Sequence, residues 1–314
     1  MRVYLLRRVA QALVVLFGIT VIVFLLIHLL PGGPARALLG PTAKQYQLKQ
    51  FIAENGYNQP LFVQYLQYLG HLFDGDLGFS YSYNQSVTAL LAQNLPKSVL
   101  LCGLAIFFTL LIAIPLGIFQ ATRSNTVPDH IINGSAFVAY SMPTFWLSTL
   151  LILWFSVSLH WFPSQAPQGD LGVALREPVA MVLPVASLTL VSVALFSRFV
   201  RSSATTVLVQ DYIRTARGKG VSQARLMYKH LLRNALSPIV TLIGVSLPWL
   251  IGGEIVVESV FNYPGMGLLL WKAANSHDYP LLMGITLVVG AATVVGSLLA
   301  DVLYAVVDPR VRYG

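Results

Sequence analysis

Between Val9 and Leu30 the chain carries no charged side chain, and five more stretches come close to it in length and apolarity: Ser98 to Gln120, Ile131 to His160, Met181 to about Phe199, Pro238 to Val257 and Leu281 to Val307. The hydrocarbon core of a bilayer takes about 20 helical residues to cross and leaves no backbone polar group without an internal partner, so runs of this kind fold as spanning helices. The expected fold class is an all-α integral membrane protein with six transmembrane helices. Of the 314 residues 56% are hydrophobic and only 10% charged, which excludes a soluble domain of ordinary composition. The motif Ala35-Arg36-Ala37 has the form of a signal-peptide cleavage site, but the run before it exceeds a signal core of about 7 to 15 residues, so 1–30 is expected to be a retained first helix.

Residues 31–97 are polar, with no run long enough to span, and are expected to form an extracytoplasmic insertion between helices 1 and 2; 98–314 would then hold the other five helices. Fourteen basic residues (Arg2, Arg7, Arg8, Arg123, the eight from Arg198 to Arg233, Arg310 and Arg312) fall on one side of these spans and six (Arg36, Lys44, Lys49, Lys97, Arg176 and Lys272) on the other. That bias places both termini in the cytoplasm. The net charge of +8 follows the span ends and is not interleaved with exposed aromatics, so it points to membrane orientation and not to nucleic acid. The single cysteine, Cys102, excludes an internal disulfide and a cysteine-type metal site.

One long polar, basic stretch interrupts the apolar pattern, from Asp211 to Pro238, and the loop that carries it covers about 206–237, up to the start of the fifth span. Val209, Ile213 and Ala216 recur at helical spacing. Gly218 and Gly220 then break or bend the helix. After Ser222, a possible cap, a second helix would carry a basic stripe (Arg225, Lys229, Arg233) and an apolar one (Ala224, Met227, Tyr228, Leu231, Ala235).

With Asp211-Tyr212, Arg214-Thr215-Ala216-Arg217, Lys219 and Gly220 in that order, the stretch resembles the cytoplasmic loop of permease subunits of ABC importers, in the peptide/nickel branch. Further matches are Tyr57-Asn58-Gln59-Pro60-Leu61 with Gln64-Tyr65, Gly75-Asp76-Leu77-Gly78-Phe79-Ser80, Glu258 to Gly267 with its Pro264-Gly265-Met266-Gly267, and Asp278-Tyr279-Pro280. Together they resemble the B-type subunit of dipeptide and oligopeptide permeases. The resemblance implies a type I ABC importer permease fold in the bacterial inner membrane. It also implies that Asp211, Tyr212, Arg214, Thr215, Ala216, Arg217, Lys219 and Gly220 form a coupling helix docking on an ATPase. The implied partners are a second homologous permease (a heterodimer), two ATPase subunits and a solute-binding protein delivering peptide; nickel, glutathione, haem and antimicrobial peptides are substrates of the same branch. A basic loop by itself favours an orientation signal over a coupling element; the glycine and the motif order are what turn the reading to coupling.

The chain has no phosphate loop: Gly218-Lys219 lacks the upstream glycine and the following hydroxyl. ATP and magnesium are therefore expected on partner subunits, with no cofactor in this chain and no enzymatic role. A membrane protease would want His-Glu-x-x-His or Gly-x-Ser-x-Gly, and neither occurs. An ion-coupled secondary transporter would want charge pairs at mid-membrane, which the spans do not offer. Ser141, Thr144, Ser187, Thr241, Gly244, Pro248 and Gly252 suit a translocation pathway, and equally an ordinary helix-packing seam. Glu254 and Glu258, one turn apart, suit an anchor for the Pro-Gly turn or a contact with a binding protein. Asp74 and Asp76 suggest a capped turn rather than a calcium loop.

Overall fold

A computed structural model describes residues 2–40, 42–222, 225–232, 243 and 252–307. In chain order these form α1 (Arg2–Leu29), α2 (Gly33–Leu39), α3 (Gln45–Glu54), α4 (Leu61–Phe73), a short antiparallel hairpin of β1 (Phe79–Ser80) and β2 (Gln85–Ser86), then α5 (Val87–Thr122) and α6 (Val127–Ser141). Next come α7 (Thr144–Leu151), which continues as a π-helical stretch Ile152–Ser158, α8 (Leu171–Arg176), α9 (Pro178–Leu208), α10 (Asp211–Gly218) and a second π-helical stretch, Leu226–Leu232. The last are α11 (Ile255–Val260), α12 (Met266–Asn275) and α13 (Tyr279–Val307).

Among the described residues α1, α5, α9 and α13 are long and apolar enough to cross a membrane. The stretch expected to cross from Ile131 to His160 is not a straight rod. It breaks at Met142-Pro143, where α6 and α7 meet at 103°. Proline has no N–H to give a helix and forces the residue before it out of the helical region, and Met142 is accordingly extended at φ −75°, ψ 131°. The fifth expected span, Pro238 to Val257, lies largely outside the described residues. Two other spans run on past their expected ends: α5 begins at Val87, eleven residues before Ser98, and α9 continues through Leu208.

The chain divides into two compact units. The first (1–99, 168–175 and 248–298) has a core of Val87, Leu90 and Leu91 from the start of α5, Met266, Leu269 and Ala273 from α12, and Leu281 and Ile285 from α13. Glycine admits the close approaches within it: a Cβ on Gly284 would lie 2.3 Å from the Val87 side chain, and one on Gly290 2.8 Å from that of Ile19. Small residues serve helix packing in lipid because, with no difference in apolarity between neighbour helix and acyl chain, close van der Waals contact decides the pairing.

The second unit (100–167, 176–247 and 299–314) is built on α5 against α9. Ala113 packs with Phe196 and Val200, and Gly117 lies so near α9 that a Cβ would come 2.5 Å from the Val200 Cβ and 2.7 Å from the Ser197 carbonyl oxygen. Because one of those atoms is backbone, no rotamer change relieves the clash. Gly117→Val is expected to cost about 1–3 kcal/mol, seen as a lower thermal unfolding midpoint of the detergent-purified protein, whereas Gly18→Val, with open space around the added Cβ, should leave the midpoint near wild type.

Candidate functional site

Helix α10 is short and strongly two-sided. Gln210 is extended ahead of it, Asp211 sits in its first turn and Arg217 in its last, each with the sign that suits the helix dipole. Ile213 and Ala216 are buried in one apolar cluster with Ala204 and Val207 of α9, Ala121 of α5, and Leu226 and Leu231. Asp211, Tyr212, Arg214, Thr215, Arg217, Lys219 and Gly220 are all exposed. The outer face thus offers three cations against one carboxylate, and the 3.9 Å contact between Arg214 and Asp211 is too exposed to hold either. Val209, grouped with Ile213 and Ala216 by spacing, is instead exposed in the two-residue link after α9.

The end of α10 is closed by hydrogen bonds from Gly220 N–H to the Arg217 carbonyl (3.0 Å) and from Val221 N–H to that of Ala216 (3.2 Å). This is the Schellman pairing, with Gly220 at φ +73° in the left-handed position and Val221 returning to the apolar cluster beside Ala216. Nothing lies within 4 Å of a Cβ built on Gly220, so backbone conformation, not space, demands glycine there. Gly218 does not shorten the helix; it is its last residue. In the following stretch Leu226 and Leu231 are buried, five apart as suits a π-helical turn; of the apolar stripe expected from sequence Leu231 is buried and Met227 partly buried, and of the basic one Arg225 is exposed. Ala224, Arg233 and Ala235, and the side chains of Tyr228 and Lys229, lie outside the described residues.

Above this element α9 is tied to α6 by an ion pair. Arg201 donates from Nε and Nη2 to the two carboxylate oxygens of fully buried Asp129 (2.9 and 2.7 Å). Asn125 N–H and Asn133 Nδ2 donate to the same carboxylate, each at 2.9 Å. Such a two-pronged pair holds orientation as well as distance.

In the first unit Glu258 is fully buried, its carboxylate enclosed by glycines. Oε1 accepts from the Ser98 hydroxyl (2.7 Å) and Oε2 from Leu268 N–H (2.9 Å), while Ser98 Oγ itself accepts from Met266 N–H (2.7 Å). A Cβ on Gly253 or Gly265 would lie 2.6 or 2.5 Å from the carboxyl group, and one on Gly267 2.6 Å from the Ile255 nitrogen. Tyr263, buried beside it, donates its hydroxyl to the Lys97 carbonyl (2.9 Å). Burial pushes the Glu258 carboxyl above its ordinary range, against the opposing pull of the Ser98 hydroxyl and the surrounding N–H groups.

Residues 113–313 match the family of binding-protein-dependent transport system inner membrane components, and residues 1–102 match the N-terminal part of such membrane components. The chain belongs to this family. This inner-membrane component is 38% identical over the full length of both chains to the oligopeptide transport system permease protein AppB of Bacillus subtilis. It is 39% identical to a putative peptide permease protein of Brucella ovis, over 98% of each chain. It shares the fold of a chain in an inward-facing structure of the MetNI methionine ABC transporter, with a TM-score of 0.52 and 18% identity over 70% of this chain and 96% of that one.

The family's motifs in this inner-membrane component meet one another across long separations. Ser80, closing the Gly75-to-Ser80 motif, donates its hydroxyl to fully buried Asp278, which also accepts Leu281 N–H at the start of α13 (3.2 Å), and the Tyr81 hydroxyl bonds the His277 carbonyl. Gln64 donates to the carbonyls of Tyr57 (3.2 Å) and Gln59 (2.7 Å) while its Oε1 contacts His28 Nε2 (2.9 Å). Asp76 accepts Gly78 N–H (2.9 Å) in a turn, and Asp74 ends α4.

Of the pathway candidates, Ser141 is exposed and Thr144 half-buried, on either side of the α6–α7 break. Ser187 is fully buried, its hydroxyl bonded to the Leu183 carbonyl of its own helix (2.9 Å). Gly252 is half-buried against Val289 of its own unit. Thr241, Gly244 and Pro248 lie outside the described residues. Glu254 is half-buried, and its backbone N–H points at Glu258 Oε1 (3.4 Å). Sequence reasoning missed Asp129, Arg201, Ser98 and Gly253. Asp129 stands in the first turn of α6 and Arg201 two residues past the expected end of the fourth span, places where a solvated charge is ordinary, and nothing in the chain announces that residues 72 apart form a pair.

Glu258→Ala strips the Ser98 hydroxyl and the Leu268 N–H of their acceptor, at an expected cost of about 2–3 kcal/mol in thermal unfolding. Because the folded carboxyl titrates above the ordinary 4.5, its contribution is complete below that pH and is lost as pH rises through the raised value. Relative to wild type, Glu258→Gln should therefore gain stability as pH rises from about 4.5, and a constant difference across pH would contradict a burial-raised carboxyl.

Proposed function

We propose that this chain is one permease subunit of an ATP-driven, binding-protein-dependent importer of dipeptides or oligopeptides, supplying half of the translocation pathway. Both termini and α10 face the cytoplasm of a bacterial inner membrane, in keeping with the fourteen-to-six charge bias. A second, homologous permease completes a heterodimer, a solute-binding protein delivers peptide outside, and two ATPase subunits bind ATP and magnesium beneath. The peptide class is supported by relatives named as oligopeptide or peptide permeases over essentially the whole chain.

One observation carries the coupling role. Helix α10 exposes Asp211, Tyr212, Arg214, Thr215, Arg217 and Lys219 while anchoring Ile213 and Ala216 in the apolar cluster shared with α9. A partner that grips the outer face therefore pulls on α9 through packed side chains, and the Asp129–Arg201 pair carries the displacement to α6. Nucleotide-driven closure of the ATPases moves α10, tilts the spans attached to it and exchanges access between the two sides. Glu258 and its glycines, buried with Ser98 and the Leu268 N–H, stiffen the turn between α11 and α12. Of the described pathway candidates Ser141 and Thr144, at the α6–α7 break, are the ones we favour, because a broken helix frees polar groups that a continuous one, such as that of Ser187, uses internally.

Reversing both charges, Arg214→Glu with Arg217→Glu, is expected to reduce ATP-dependent uptake of a labelled dipeptide by about tenfold or more, equivalent to about 1.4 kcal/mol of lost docking. Membrane content should be unchanged; full uptake by the double variant would refute the coupling role. Gly220→Val strains the left-handed cap and should likewise abolish uptake, with Gly220→Asn retaining more because asparagine tolerates that conformation.

A further inference from the structure

Helix α4, LFVQYLQYLGHLF, carries no Lys, Arg, Asp or Glu although it belongs to the polar segment between the first two spans. On a helical projection Phe62, Leu66, Leu69 and Phe73 share one face. Phe62, Leu66 and Phe73 are 70%, 51% and 88% exposed, an apolar face left uncovered among the described residues. Gln64, Gln67 and His71 point the other way and line a cavity of about 820 Å³, which Tyr68 also lines, its hydroxyl buried without a hydrogen-bond partner.

What α4 touches sets its depth. The Tyr65 hydroxyl is 2.8 Å from Thr20 Oγ1, its ring meets Phe17 and Phe24 edge-on at 6.0 and 5.2 Å, and Tyr68 stacks obliquely on Phe24 at 5.7 Å. These partners belong to α1, whose membrane-length part is Arg7–Leu29. Thr20 stands nine residues before Leu29, about 13 Å along the axis at 1.5 Å per residue, which places it inside a hydrocarbon core about 30 Å thick. Leu13, Val14, Phe17, Ile22 and Leu26 of α1 are exposed as well, so the bare face of α4 continues the surface of a spanning helix.

We propose that α4 is seated in the bilayer, in the half at the Leu29 end of α1, with Phe62, Leu66, Leu69 and Phe73 against lipid acyl chains. Polar groups at that depth are tolerated only where protein or a water-accessible cavity meets them, and the side facing Gln64, Gln67 and His71 supplies both. The absence of any charged residue on a helix that otherwise reads as part of a polar insertion then has a cause: a charge on either flank would be drawn into hydrocarbon. The inference depends on α1 crossing the membrane and on nothing about what is transported.

The test uses the assembled transporter in phospholipid vesicles, with nitroxide labels at Phe62→Cys, Leu66→Cys and Phe73→Cys in turn and at Glu54→Cys as a water-facing control, all in a Cys102→Ala background. Power saturation compares collision with molecular oxygen, which concentrates in lipid, and with a water-soluble nickel chelate. Oxygen should dominate several-fold at the three α4 positions and the chelate at Glu54. Chelate access at α4 would put the helix in water, and suppression of both probes would put a protein partner on that face; either overturns the proposal. An unlabelled Phe62→Trp variant gives an independent reading: the fluorescence it adds to that of the five native tryptophans should be strongly quenched by lipids brominated on the acyl chain, and lack of quenching of that added signal would count equally against it.

Discussion

A short helix at a membrane surface transmits displacement only if it cannot slide on the helix that carries it. In the coupling role proposed for α10 that condition would rest on Ile213 and Ala216, two small-to-medium apolar side chains closed in by Ala204, Val207, Leu226 and Leu231. Their burial leaves the charged residues of α10 free for a partner, because on a helix the two sets fall on opposite faces. The Schellman closure at Gly220 serves the same end by returning Val221 to the cluster, so the helix is held from both sides of its own C-terminus. The Asp129–Arg201 pair adds the directional component that apolar contacts lack, since dispersion is nearly indifferent to rotation and a two-pronged carboxylate–guanidinium contact is not.

The motifs by which the family is recognised do mostly structural work in this chain. Glu258 with Pro264-Gly265-Met266-Gly267 is a carboxylate packed where any Cβ on three surrounding glycines would collide, Ser80 and Asp278 join segments 198 residues apart, and Gln64 gathers two carbonyls and His28. Each satisfies polar groups that would otherwise be buried without partners, which matters most where irregular backbone lies close to hydrocarbon. Residue types at such places are restricted because geometry and hydrogen-bond count leave no substitute.

Much of the fold was legible along the chain. Apolar length and the rarity of charge announced α1, α5, α9 and α13, and helical spacing picked out Ile213 and Ala216 as the inward face of α10. The bend at Met142-Pro143 was in principle legible from the proline, but a purely apolar run reads as one rod when length alone is counted. The π-helical register that buries Leu226 with Leu231 was not legible, since a single extra residue per turn leaves the composition of the segment unchanged. Nor was the depth of α4, because a polar flank of a span reads as water-exposed until the contact of Tyr65 with Thr20 is seen.

The sequence by itself determined that this is a helical membrane protein with a basic, two-faced element at one span end, because hydrophobicity and periodicity are properties of near neighbours. Tertiary structure alone decided that Asp129 answers Arg201, that Ser98 meets Glu258, and that Asp278 receives Ser80. Those pairings join positions from 72 to 198 residues apart, and a buried charge or hydroxyl acquires its partner only when the folded chain brings such positions within hydrogen-bond distance.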